Sequence, residues 1–116
     1  MAIIYHLINQ ADWEAAKSVA EYRAESLAAE GFIHCSQDEA QLLRVANRLF
    51  AGREDMLALE VDTDRLTSPV KRDPSRSGEI YPHIYGPLNT SAVVRVRPLP
   101  LDAAGKFSIV GESECA

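Results

Sequence analysis

The chain has 116 residues, 47% of them apolar and 25% charged, which gives room for one hydrophobic core and excludes both two independent domains and wholesale disorder. Twelve Lys and Arg against seventeen Asp and Glu leave a formal charge of −5, too few cations for a general nucleic-acid binder, which must neutralise many phosphates. Its two cysteines, Cys35 and Cys115, make neither a disulfide framework nor a zinc ribbon; no apolar run approaches the roughly 20 residues a bilayer requires, and Met1 to His6 shows no basic segment leading into one.

A cytoplasmic single domain over 1–116, with 98–116 as a weakly defined tail, is therefore the expectation, with neither nucleic acid nor membrane as partner. Ala2 to Ile8 is β-branched and aromatic and predicts a strand, with Ile4, His6 and Ile8 on one face. Asn9 caps a short helix, Ala11 to Val19, that carries Trp13, and Ser26 is a candidate cap for one further turn. Gly31 to Cys35 predicts a second strand. Ser36 with Glu39 has capping-box spacing, and the helix behind it places Leu42, Leu43, Ala46, Leu49 and Phe50 in one apolar stripe, with Gly52 as its left-handed cap.

Met56 to Val61 predicts a third strand and Asp62 to Leu66 a turn. Thr67 to Gly78, rich in serine, proline and cations, predicts a short edge strand near Val70 and a mobile loop over 73–78. Tyr81 to Leu88 is stiffened by Pro82 and Pro87, Ala92 to Arg97 is a further strand, and Phe107 to Val110 is a candidate last one. The fold class is α+β, with about five or six strands, one long helix and one or two short ones.

Chemistry concentrates in two segments. In Gly31-Phe32-Ile33-His34-Cys35-Ser36, strand alternation turns Phe32, His34 and Ser36 one way and buries Ile33 and Cys35, and a helix N-terminus at Ser36 favours an anion. Two readings of this segment stand side by side: a cleft-facing imidazole, or a half-buried histidine with a satisfied bond beside a plain cap. In Tyr81-Pro82-His83-Ile84-Tyr85-Gly86-Pro87, Tyr81, His83 and Tyr85 share a face that suits stacking on a planar ring and hydrogen bonds to a ribose or carboxamide; the competing reading is an aromatic loop packed over the core. His6 alternates with Ile4 and Ile8 and fits a core edge better than a ligand site. Lys71, Arg72 and Arg76 are phosphate candidates, although loop cations are commonly just solvated. No metal site is expected, because His34 and Cys35 face apart and no ligand spacing occurs, and neither a dinucleotide fingerprint, a P-loop nor an esterase elbow is present.

With its Ile3-Ile4-Tyr5 strand, its Gly-Phe-Ile-His-Cys-Ser motif and its Tyr-Pro-His-Ile-Tyr-Gly-Pro-Leu motif in this order, the sequence resembles a family of small bacterial proteins known as domain of unknown function 952. That family looks like a minimal ADP-ribosyltransferase fold, which implies two small, mostly antiparallel sheets around an NAD cleft. By position, the resemblance carries His6 onto a first motif that holds NAD, His34 with Ser36 onto a second, and His83 with Tyr85 near a third. The chain departs from the transferases in lacking a glycine after His6 and in having no Gln-x-Glu or Glu-x-Glu pair between the third strand and Arg97, with Glu79 as the one carboxylate candidate there.

The expectation that follows is an enzyme acting on NAD or an ADP-ribosyl compound. His34 and His83 would be catalytic, and His6, Phe32, Ser36, Arg72, Arg76, Tyr81 and Tyr85 would bind the ligand. NAD would be substrate, with no cofactor required. The alternative is a non-catalytic module that binds a nucleotide-like or carboxylate metabolite in the same cleft. An edge strand near Val70 or in the tail offers a contact for a homodimer.

Overall fold

A computed structural model describes residues 2–107, and the candidate strand at 107–110 lies outside them beyond Phe107. In chain order the elements are β1 (Ile3–Asn9), α1 (Gln10–Val19), β2 (Glu21–Tyr22), α2 (Glu25–Glu30), β3 (Ile33–His34), α3 (Glu39–Leu49), β4 (Met56–Asp62), β5 (Val70–Pro74), β6 (Ile80–Ile84), β7 (Leu88–Asn89) and β8 (Val93–Pro98). Single 3-10 turns, Thr63–Arg65 and Thr90–Ala92, precede β5 and β8.

The strands form three antiparallel sheets, β1-β4-β8, β2-β7 and β3-β6-β5, where the sequence resemblance implied two. The difference comes from β2 and β7, which pair through only Glu21↔Asn89 and Tyr22↔Leu88, too short to leave an alternation in the sequence.

The first sheet is covered on both faces, and its central strand β4 is apolar on both. One face, with Ile4, Ile8, Leu59 and Val61, joins Trp13, Ile33, Ile84 and Leu88 in the larger core cluster, so α1 and all three sheets meet there. The other face, with Met56 and Ala58, takes the Leu42 and Ala46 stripe of α3.

The start of α3 differs from expectation. Asp38, not Ser36, is its N-cap, accepting from the Gln41 N–H at 2.8 Å. Ser36 is committed elsewhere, because its N–H and C=O both bond to Tyr5, at 2.7 and 2.8 Å. Gly52 has φ +88° but lies beyond the cap, Phe50, whose N–H closes the helix on Ala46. Ser26 does not cap α2 either; its hydroxyl donates to the Phe32 carbonyl at 2.8 Å. The anchoring of α3 runs through buried Gln41, whose amide donates to the Ile80 carbonyl at 3.0 Å and to Glu79 at 3.1 Å while its oxygen accepts from Gln37 at 2.8 Å.

The expected edge strand near Val70 is β5, and it takes in Asp73 and Pro74, so the loop narrows to a turn closed by Gly78 N–H to Ser75 C=O at 2.9 Å. Strand β3 is shorter than the expected Gly31 to Cys35, its ladder with β6 holding only Ile33↔Ile84 and His34↔His83.

Candidate functional site

Strand β1 is an edge of its sheet, and among the described residues no further strand continues that edge past the Tyr5–Ser36 bridge. Tyr5 turns its N–H and C=O away from β4 to reach Ser36, so ladder alternation turns those of Leu7 to the same side. A cleft of about 610 Å3 opens there between β1, α3 and the β3-β6-β5 sheet, and takes in the turn after β5.

The third sheet separates its faces by alternation. Ile33, Ile84 and Val70 lie in one row against the core. The opposite row brings His34 directly across from His83, with ring centroids 5.2 Å apart and planes at 88°. The two histidine segments, 49 residues apart in the chain, thus share one wall of the cleft, with Tyr81 beside them.

Each imidazole of this pair has a carboxylate. His83 Nδ1 lies 2.9 Å from Asp73 Oδ2, which also accepts from the Tyr85 hydroxyl at 2.6 Å. Those two bonds, Tyr85's first, hold the Asp73 carboxyl below the usual carboxylate range, and the same contact pushes the Tyr85 phenol up. Phe32 stacks on His83 at 4.1 Å and 17° and fixes its plane. His34 Nε2 lies 3.1 Å from Glu30 Oε2.

His6 is buried on the core face of β1 and also touches the cleft. Its Nδ1 donates to the His34 carbonyl at 2.6 Å, and among the described residues its buried Nε2 meets no partner. Desolvation, against the smaller opposing effect of that carbonyl, pushes its pKa down to about 4, so the ring is neutral and Nε2 is a bare acceptor.

Of the sequence-predicted residues, His6, His34, Ser36, Arg76, Tyr81 and His83 line the cleft. Phe32 and Tyr85 stand behind His83 and support it. Arg72 is exposed on β5 opposite Pro82, away from the cleft, because β5 continues through the expected loop and turns alternate side chains apart. Glu79 is engaged by Gln41, Arg44 and Tyr81 and is not part of the lining. The anion site expected at Ser36 does not fall on a helix start, since α3 is capped by Asp38, and the Asp38 and Gln41 side chains take the Gln41 and Gln37 N–H groups.

Sequence reasoning missed Glu30, Arg48 and Asp73. Glu30 and His34 are four apart, but α2 ends between them at Gly31, so helical spacing gives no signal. Asp73 is the diagonal neighbour of His83, because Lys71 is its direct partner, and this becomes visible only once β5 is extended through 73. Cys35 is fully buried and its thiol pushed up by desolvation, the environment of an inert core cysteine. Among the described residues no group of three His, Cys, Asp or Glu has the geometry to hold a metal ion.

A family model described as "Protein of unknown function (DUF952)" matches residues 7–96. The chain belongs to that family. It is similar to protein CC0527 from Caulobacter crescentus: to its X-ray structure at 34% identity and a TM-score of 0.83, over 92% of this chain and 94% of that one. To the solution NMR structure of CC0527 it is similar at 36% identity and a TM-score of 0.79, over 91% of each chain. No curated protein matches it. The DUF952 match spans both histidine segments and strands of all three sheets, so it takes in the cleft lining from Leu7 to His83 but not Tyr5 and His6. Among the described residues no helix is long and apolar enough to cross a membrane.

Proposed function

We propose that this cleft takes NAD or an ADP-ribosyl compound and that the protein acts on the ribosyl bond, in keeping with the resemblance of its family to a minimal ADP-ribosyltransferase. The observation that carries the reading is the meeting of His34 and His83 on one wall of a cleft of about 610 Å3, within the roughly 300–1,000 Å3 range of small-molecule sites.

The remaining lining supports it. The open edge at Leu7 offers one N–H donor and one C=O acceptor, the complement of a primary carboxamide. Arg48 and Arg76, both exposed, supply positive charge for a diphosphate from two sides. Glu30 brings to the cleft a carboxylate that the sequence alone did not reveal, and carboxylates stabilise the oxocarbenium character of a departing ribosyl group.

A second reading, binding without turnover, draws on the fact that this carboxylate is already bonded to His34. Thermal shift with NAD, ADP-ribose, nicotinamide and inorganic phosphate tests the common part. A ligand at 100 times its Kd adds about 2.7 kcal/mol, a midpoint rise of roughly 10 °C for a domain of this size. A rise with NAD or ADP-ribose but not with phosphate is the expected result, and release of nicotinamide from NAD then distinguishes enzyme from binder. No rise with NAD or ADP-ribose would remove the proposal.

A further inference from the structure

We infer that His83, oriented by Asp73, is the base that activates the attacking oxygen in this cleft, and that Asp73 is its positioning residue. The inference rests on the ribosyl reading above and adds to it the origin of the nucleophile.

The geometry is that of a base held in one tautomer and one orientation. Asp73 Oδ2 is 2.9 Å from Nδ1, and a carboxylate can only accept, so the ring proton sits on Nδ1 and Nε2 keeps the lone pair. Phe32, stacked at 4.1 Å, fixes the ring plane. Asp73 is itself fixed by the Tyr85 hydroxyl at 2.6 Å, so the base, its orienting carboxylate and the support of that carboxylate form one chain of contacts across β6 and β5. This supplies the base and orienter of the nucleophile–base–orienter order, with an imidazole as the base.

The step balances with water, or an acceptor hydroxyl, as the only co-reactant. His83 Nε2 takes the proton of the attacking O–H as the oxygen forms its bond to the ribosyl C1. The C1–N bond to nicotinamide breaks, and its electron pair neutralises the pyridinium nitrogen, so the leaving group needs no proton. The proton on His83 passes to solvent. With water, NAD gives ADP-ribose, nicotinamide and one proton.

The test compares the full-length wild type with Asp73→Asn and with Tyr85→Phe, using NAD as the probe. Nicotinamide release gives kcat and KM, and long-range proton–nitrogen NMR of the histidine rings gives the tautomer. The wild type is expected to show His83 with its proton on Nδ1. Asp73→Asn, whose amide can donate to Nδ1, is expected to move that proton to Nε2 and to lower kcat by about 10²–10⁴-fold with KM changed little. Tyr85→Phe keeps Asp73 and should leave the tautomer in place with a much smaller loss.

A wild-type His83 protonated on Nε2 overturns the inference whatever the turnover, and needs no active enzyme to be seen. A shifted tautomer in Asp73→Asn with unchanged nicotinamide release also overturns it while sparing the ribosyl reading. NAD that binds wild type without releasing nicotinamide removes the base and leaves the binding module. NAD that does not bind removes the ribosyl reading itself.

Discussion

At His6 the fold opposes a charge that the unfolded chain accepts freely. The ring is 6% exposed, its pKa pushed down to about 4 by desolvation, and its Nε2 is without a partner among the described residues. Above pH ~6.5 the imidazole is neutral in both states and contributes no pH dependence. As pH falls from about 6.5 towards about 4, the unfolded chain binds a proton that the native one refuses, so stability drops with pH at up to ~1.4 kcal/mol per unit and on the order of 3 kcal/mol in all. His6→Asn places an amide N–H near Nδ1, retains a donor to the His34 carbonyl and abolishes the titration. Urea denaturation at pH 7.5 and pH 4.5 should therefore show a smaller acid loss for the variant than for wild type, by on the order of 2–3 kcal/mol. Equal acid losses would mean that His6 charges as readily in the native state as in the unfolded one.

Where β6 gives way to β7, the chain crosses itself closely. Gly86 has φ +151°, and a Cβ added there would lie 2.4 Å from Ser68 Oγ and 2.9 Å from Ser68 Cβ. That hydroxyl is not free to swing aside without loss, since it donates to the Pro87 carbonyl at 2.8 Å. Gly86→Ala combines overlap with a backbone angle that L residues rarely adopt and should cost about 2–4 kcal/mol, measured as a lowered urea midpoint at unchanged m-value. Adding Ser68→Gly removes the overlap but not the angle, so the double variant should recover only part of the loss. Full recovery would show that the backbone angle costs nothing.

The same element scale decides what the sequence could disclose. The stripe of α3, the alternation of β1 and the apolar run that opens β4 are long enough to mark themselves, and Gly31-Phe32-Ile33-His34 turned its side chains as alternation requires. The cap of α3 was ambiguous because Ser36 to Glu39 and Asp38 to Gln41 have the same spacing. The choice was made by a long-range pairing, Ser36 with Tyr5, that local sequence does not contain. The partners of the histidines were hidden for a similar reason: Asp73 reaches His83 across a ladder, and Glu30 reaches His34 across a helix end.

At the scale of the whole molecule, three small sheets behave as one unit only if a shared core ties them together. The larger cluster does this: Ile4, Leu59 and Val61 come from the first sheet, Leu88 and the half-buried Tyr22 from the second, and Ile33 and Ile84 from the third. A two-residue ladder such as β2-β7 has no independent stability and persists because its side chains join that cluster. Trp13, 7% exposed on α1, sits in the same cluster and is the only tryptophan in the chain, so its fluorescence reports the packing at which all three sheets meet. Far-UV circular dichroism reports the ladders and helices themselves. Because no sheet can leave the cluster without exposing apolar surface of the others, heating should give one transition, with the Trp13 and dichroism midpoints coincident within error. At ~0.7 kcal/mol per residue its van't Hoff enthalpy should be on the order of 80 kcal/mol. A Trp13 transition several degrees below the dichroism midpoint would mean that the core cluster loosens while the ladders persist. The walls of the cleft, which belong to different sheets, would then be free to part before the chain unfolds.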